Sequence, residues 1–356
     1  MGFCKIRVAL GAAALALTAA CGDSGPSEFD AVGMQADLEI FEQLDSDAEF
    51  SSLAATLNGI SGAFGDPVLL RLQDVSVSRA GRAKAGAAVQ SFFAKDGAPV
   101  LSASLVSIPP EVAGKTYAYD PESGDWVASE LTGAPANGVR FLLYAVDAFG
   151  DIVTPLVETG HVDLTDLSSG SGHQARLVAV SGGVTKADYQ ATATGDETDG
   201  TITVDGFVGT GNSRLDMDFS ADVSTSGDDV TFAVASRLEF PGHDVLFDVS
   251  LDGTSNDVTE TYSAELEQLI ETPNGRVELA GEFQPETHLV IRVNGDVYAT
   301  YDGDEDVLTG ANGRVLTTDE QGALFGTVYV LELTVFVPLF FVTPLAWIVG
   351  DIPGIF

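Results

Sequence analysis

The chain has 356 residues, 53 acidic side chains against 16 basic ones, a formal charge of −37 and an apolar share of 45%. So acidic a surface repels nucleic acid and bare phosphate, while that much apolar content argues for a folded core and against an acidic disordered chain. The length is ample for one large all-β domain or two smaller ones.

Met1 to Arg7 carries the only early charges, Lys5 and Arg7, and Val8 to Ala20 is an uncharged, Ala/Leu-rich run. A basic start, a short apolar stretch and small residues before a cut have the anatomy of a secretory signal, too short for a spanning helix. The end of the run, Leu17-Thr18-Ala19-Ala20-Cys21, resembles the lipobox of bacterial lipoproteins, with Thr18 standing where that family more often has Leu. The resemblance implies cleavage before Cys21, lipid attachment to its thiol and a membrane address in the cell envelope. Gly22, where an Asp would imply retention in the inner membrane, implies the outer one. Cys4 leaves with the signal and Cys21 is blocked by lipid, so no thiol remains for a disulfide and the domain must stand on its hydrophobic core. Loss of Lys5 and Arg7 takes the formal charge from −37 to −39.

Residues 21–28 read as a tether, with Gly, Ser and Pro lifting the fold off the bilayer. Residues 29–64 read as two amphipathic helices packed on a sheet. Val32, Ala36, Ile40 and Leu44 recur at four-residue spacing, and Phe50, Leu53, Ala54 and Leu57 follow the capping run Asp45-Ser46-Asp47. Residues 65–97 break the charge pattern: Arg71, Arg79, Arg82, Lys84 and Lys95 stand against the single acid Asp74 of Arg71 to Lys95. Two readings fit, a basic arm for lipid phosphates or an acidic partner, and a solvated loop lying against the protein's own acidic surface.

Residues 98–325 read as an antiparallel β domain. Asp120-Pro121-Glu122-Ser123-Gly124 is hairpin chemistry between Tyr117 and Trp126, and Val139 to Val146 reads as a strand buried on both faces. From Asn212 to Gly253 the period of two is clearest, with Leu215, Met217, Phe219, Ala221 and Val223 on one side and Asp216, Asp218, Ser220 and Asp222 on the other. Turn signals fall at Ser226-Gly227, Pro241-Gly242, Asp252-Gly253, Asn274-Gly275 and Asn294-Gly295. The fold class is therefore mainly β (α+β): a long antiparallel meander with one wet and one dry face, forming a curved sheet, sandwich or half-barrel, with the N-terminal helices and an apolar C-terminal segment packed on it. That segment, 326–356, contains eighteen uncharged residues from Leu333 to Gly350, interrupted by Pro338 and Pro344. Covering the sheet, entering a membrane and forming core strands are all compatible with it.

Catalytic signals are few. His161, His173, His243 and His288 lack metal-ligand spacing, and no nucleophile elbow or phosphate-binding glycine loop occurs. Asp302, Asp304 and Asp306 alternate as calcium prefers, but Val307 and Gly313 stand where the helix–loop–helix pattern needs Gly and Glu. No catalytic residue or cofactor is assigned, and an enzyme is not expected. Three readings remain: a binding module holding an apolar ligand or lipid in a β cavity, similar in outline to lipoprotein carriers built as half-barrels; a structural envelope protein with a filled core; and a membrane β-barrel.

Overall fold

A computed structural model of the chain describes residues 29–41, 53, 108, 110–147, 151–169, 172–195, 198–256, 259, 261–283, 287–303 and 307–342. Its body is one sheet. Strands β1 (Thr116–Asp120) and β2 (Asp125–Ser129) form the expected hairpin. There the Asp120 carboxylate accepts from the Glu122 N–H at 3.0 Å, and Gly124 takes a positive φ of 79° to close the turn. Then come β3 (Gly138–Tyr144), β4 (Glu158–Asp166), β5 (His173–Ser181), β6 (Val184–Gly195) and β7 (Asp199–Val208). The long central strands are β8 (Leu215–Ser226), β9 (Asp229–Phe240), β10 (Val245–Asn256) and β11 (Thr261–Thr272). The meander ends with β12 (Gly275–Phe283), β13 (Thr287–Val293), β14 (Asp296–Asp302) and β15 (Val307–Gly310).

The fifteen strands lie in chain order from β15 to β3, followed by β1 and β2 at the far edge. Every pairing is antiparallel except that of β1 with β3. From β8 onward short links make this order inevitable: adjacent strands joined by two to four residues have nowhere to go but beside each other. At Asn294-Gly295 both residues take positive φ, 51° and 91°, as a tight hairpin turn of right-handed twist requires.

Period two sets the layers. Leu215, Met217, Phe219, Ala221 and Val223 are buried while Asp216, Asp218, Ser220 and Asp222 face outward, as their alternation predicts. One turn signal fails. Asp252-Gly253 lies inside β10, where Gly253 pairs with Phe232 on one side and Ala264 on the other. A Cβ on Gly253 would stand 2.3 Å from Cζ of Phe232, so the glycine seats an aromatic ring and the strand runs on to Asn256.

Helix α1 (Ala31–Leu38) starts at Asp30, whose side chain accepts from the Gly33 N–H at 2.9 Å. The face it buries differs from the expected stripe. Ala31, Met34 and Leu38 are inside, whereas Val32 is 63% exposed and Ala36 faces out. The turn between β11 and β12 fixes this rotation: Asn274 donates to Asp37 at 2.9 Å and the Thr272 hydroxyl meets the Met34 sulfur at 3.8 Å. Ile40 is buried beyond the helix, and Phe41 packs on Phe240 and Phe247 with centroids 5.3 and 5.1 Å away. Leu53 is helical and buried; the rest of the second expected helix, the tether, residues 65–97 and residues 343–356 lie outside the described residues.

Helix α2 (Thr318–Val342) is the cover of the sheet. The sequence starts the apolar segment at residue 326, but the helix begins at Thr318 because Thr317 and Glu320 form a reciprocal capping box. The Glu320 N–H donates to the Thr317 hydroxyl at 3.2 Å, and the Thr317 N–H donates to the Glu320 carboxylate at 2.7 Å. Residues 333–342 are therefore helix and not strand, and no helix among the described residues is long and apolar enough to cross a membrane.

Candidate functional site

Three contacts trace the path of α2 across the dry face. Near its start Phe325 meets Tyr301 of β14 at 6.2 Å, in its middle Thr334 meets Ser236 of β9, and near its end Phe341 meets Tyr189 of β6 at 5.4 Å. β14 and β6 are eight steps apart in the sheet, roughly 38 Å at the usual strand spacing. Phe325 to Phe341 covers only about 24 Å of helix axis. A sheet that meets both ends of so short a rod must curl around it, and the helix lies in the resulting trough.

The helix is held differently at its two halves. At its start, burial alone would raise the Glu320 pKa, but hydrogen bonds from the Tyr298 hydroxyl, the Thr317 N–H and Arg314 outweigh it and hold the carboxyl at about 2. The Arg314 guanidinium also lies over the Tyr298 ring, 4.4 Å from its centroid. In the middle, Pro338 has no N–H to give the carbonyl four residues earlier, which belongs to Thr334. The Ser236 hydroxyl donates to that freed oxygen at 2.5 Å. The Thr334 hydroxyl turns back to the Val330 carbonyl at 2.8 Å, a bond that bends helices.

Few polar groups share this trough, and two stand out. Gln268 of β11 is 3% exposed, and neither its amide oxygen nor its amide nitrogen has a hydrogen-bond partner. It is flanked along the strand by Leu266 and Ile270 and across it by Val249 and Leu279, all inward-facing. The Tyr189 hydroxyl, beside Phe341, is likewise buried and unpartnered, and burial pushes its pKa up. Each unpaired buried group costs about 1–3 kcal/mol.

The wet face is ordered by charge. Arg140 chelates Asp163 at 2.6 and 2.7 Å, Arg176 chelates Asp188 at 2.7 and 2.6 Å, and Arg237 reaches Glu239 and Asp248, both at 3.3 Å. Toward one end of the strands the cations give out. Asp302, His288, Glu282, Glu265 and Asp252 stand side by side on successive strands from β14 to β10. Directly opposed like charges weaken such a row. Beside it a groove of about 940 Å³ spans β6 to β12, walled by Asp199, Asp222, Asp252 and Glu265 with hydroxyls from Thr201 and Ser263, over a floor of small residues such as Ala233.

Of the expected site residues only Asp302 is described. Cys21, Asp304 and Asp306 lie outside the described residues, and Asp302 closes β14 with His288 Nδ1 at 3.7 Å. Among the described residues no group of three or more His, Cys, Asp or Glu side chains is arranged to hold a metal. His161 sits 3.8 Å from Asp163, yet burial and the neighbouring Arg140 lower its pKa, so it stays neutral at pH 7. Sequence reasoning passed over Ser236, Gln268 and Tyr189, although a signal exists: Leu266, Gln268 and Ile270 share one parity, as do Val234, Ser236 and Leu238. A polar residue in an apolar register marks the trough. No family model, curated protein or solved structure matches this chain.

Proposed function

We propose that this is a non-enzymatic protein of the bacterial cell envelope, tethered to the outer membrane by lipid on Cys21, that shelters an apolar ligand or lipid on the dry face of its sheet. The observation that carries this reading is α2 itself. After its polar first turn it is almost wholly apolar in sequence, with Glu332 the one charge, it occupies the trough of a one-sided sheet, and its middle is attached through a proline-weakened turn. A helix of this kind is a cover that a ligand can displace, and in the ligand-free state it fills the ligand's place. Native mass spectrometry of the mature chain carrying Cys21→Ser is expected to show retained lipid; a ligand-free, monodisperse protein at high yield would count against the carrier. Radiolabelled palmitate is expected to enter the native protein and not the Cys21→Ser form.

A second reading has its own support. Among the described residues the dry face is packed, with Phe219, Phe240, Phe247 and Phe341 at most 1% exposed. That suits a purely structural envelope protein, whose working surface would be the acidic face and its groove. The barrel reading has less behind it: the outward face of the sheet carries charge where a barrel needs an apolar band, and among the described residues β15 and β2 each have a single neighbour.

A further inference from the structure

The dry trough has a chemical character that restricts what it could receive. The buried polar side chains on the elements around Gln268, namely Ser236, Ser255, Thr327 and Thr334, are uncharged, and the Tyr189 phenol is kept neutral by burial; the ionisable His173 is buried on β5, six strands away. Among the described residues the nearest part-buried cation is Arg314, which lies over Tyr298 of β14, three strands from Gln268, and is bound to Glu320; an ionised group taken in beside Gln268 without a partner is strongly disfavoured. Thr327 and Thr334 spend their hydroxyls on the carbonyls of Leu324 and Val330. Ser236 spends its own on α2. Gln268 offers both a donor and an acceptor, and both are unused. It sits in the same cross-strand row as Ser236, with Val249 between them, roughly 10 Å away at the usual strand spacing.

We infer that the trough takes a neutral amphiphile, an acyl chain ending in an uncharged ester, alcohol or amide such as a glyceride, whose hydrogen-bonding group is received by Gln268. The inference rests on the carrier reading and adds the ligand's class. The Gln268 amide N–H groups donate to a carbonyl oxygen, and its amide oxygen accepts from a hydroxyl. A glyceride supplies both and a carboxylate supplies no donor. When α2 withdraws, the Ser236 hydroxyl loses the Thr334 carbonyl and becomes a second contact on the same row. The acyl chain then lies along the surface that α2 had covered, toward Tyr189.

The test is a titration of the mature Cys21→Ser chain with monoolein and, separately, with oleate at pH 8, followed by native mass spectrometry. Monoolein is expected to bind about tenfold more tightly than oleate, the factor that one well-made hydrogen bond commands in a dry site. Gln268→Leu is expected to weaken monoolein by about tenfold while its thermal midpoint stays equal or rises, which shows the fold intact. Unchanged monoolein binding by Gln268→Leu, or oleate binding as tight as monoolein, overturns the inference and leaves the carrier reading standing. If neither the parent chain nor a Ser236→Ala variant with a loosened helix retains either lipid, the carrier reading falls and the inference with it.

Discussion

From Leu215 to Asn256 a single stretch of backbone carries two surfaces, and they are stabilised by different means. Inward, Leu238, Phe247 and Val249 have no exposed area at all, on strands that pack against α2 and, at Phe247, against Phe41. Outward, Arg237, Glu239 and Asp248 are nearly half exposed and trade partners in water. Removing a side chain from the first surface leaves a hole that the rigid neighbours cannot close, whereas removing one from the second lets water in. The inner face therefore sets stability. The outer one sets solubility and what the protein repels.

The contrast can be broken from either side. Phe247→Ala is expected to cost about 3–5 kcal/mol in urea denaturation, the largest effect of any single change considered; a loss below 1 kcal/mol would mean that the dry face is not packed as described. Ser236→Ala strands the Thr334 carbonyl in the interior and is expected to cost about 1–3 kcal/mol. Thr334→Ser, which keeps both the carbonyl and the hydroxyl, should cost less.

Glu320 gives a pH-dependent version of the same test. Its carboxyl is held at about 2 in the fold against an ordinary 4.5, so its contribution is fully present above pH 4.5 and is lost as pH falls toward 2. Glu320→Gln is expected to lower stability at pH 7 by about 1–3 kcal/mol and to flatten the acid limb of the stability profile in that window. An unchanged acid limb would show that the capping network does not hold α2. At the small end, Arg237→Ala on the wet face is expected to change stability by less than about 1 kcal/mol, and by still less in high salt. A larger loss would blur the distinction between the faces.

The strands are readable because alternation of Leu, Phe and Val with Asp and Ser has one interpretation, and the two- to four-residue turns from β8 onward leave one topology. α2 was harder. Its Val, Phe and Thr content suits strands and its proline argues against a helix; only Thr317 and Glu320, three apart, betray the start. The stripe on α1 was placed on Val32 and Ala36 because spacing alone cannot tell which of two overlapping apolar faces turns inward, a choice made by Asn274 and Thr272 far along the chain. Gly253 reads as a turn in sequence because the ring of Phe232, the reason for the glycine, is twenty-one positions away. Gln268 and Ser236 announce themselves by parity, but which carbonyl or ligand they answer to depends on how the sheet curls.

The central claim is that α2 and the ligand compete for one trough, and a reversible lock tests it most directly. In the mature Cys21→Ser chain no cysteine remains, so Ser236→Cys with Thr334→Cys places the only two thiols on the two residues that meet where the helix is pinned. Oxidation to the disulfide is expected to abolish monoolein binding and reduction to restore it. Equal binding in the oxidised and reduced forms would show that the helix never has to leave, and that the dry face is core and nothing more.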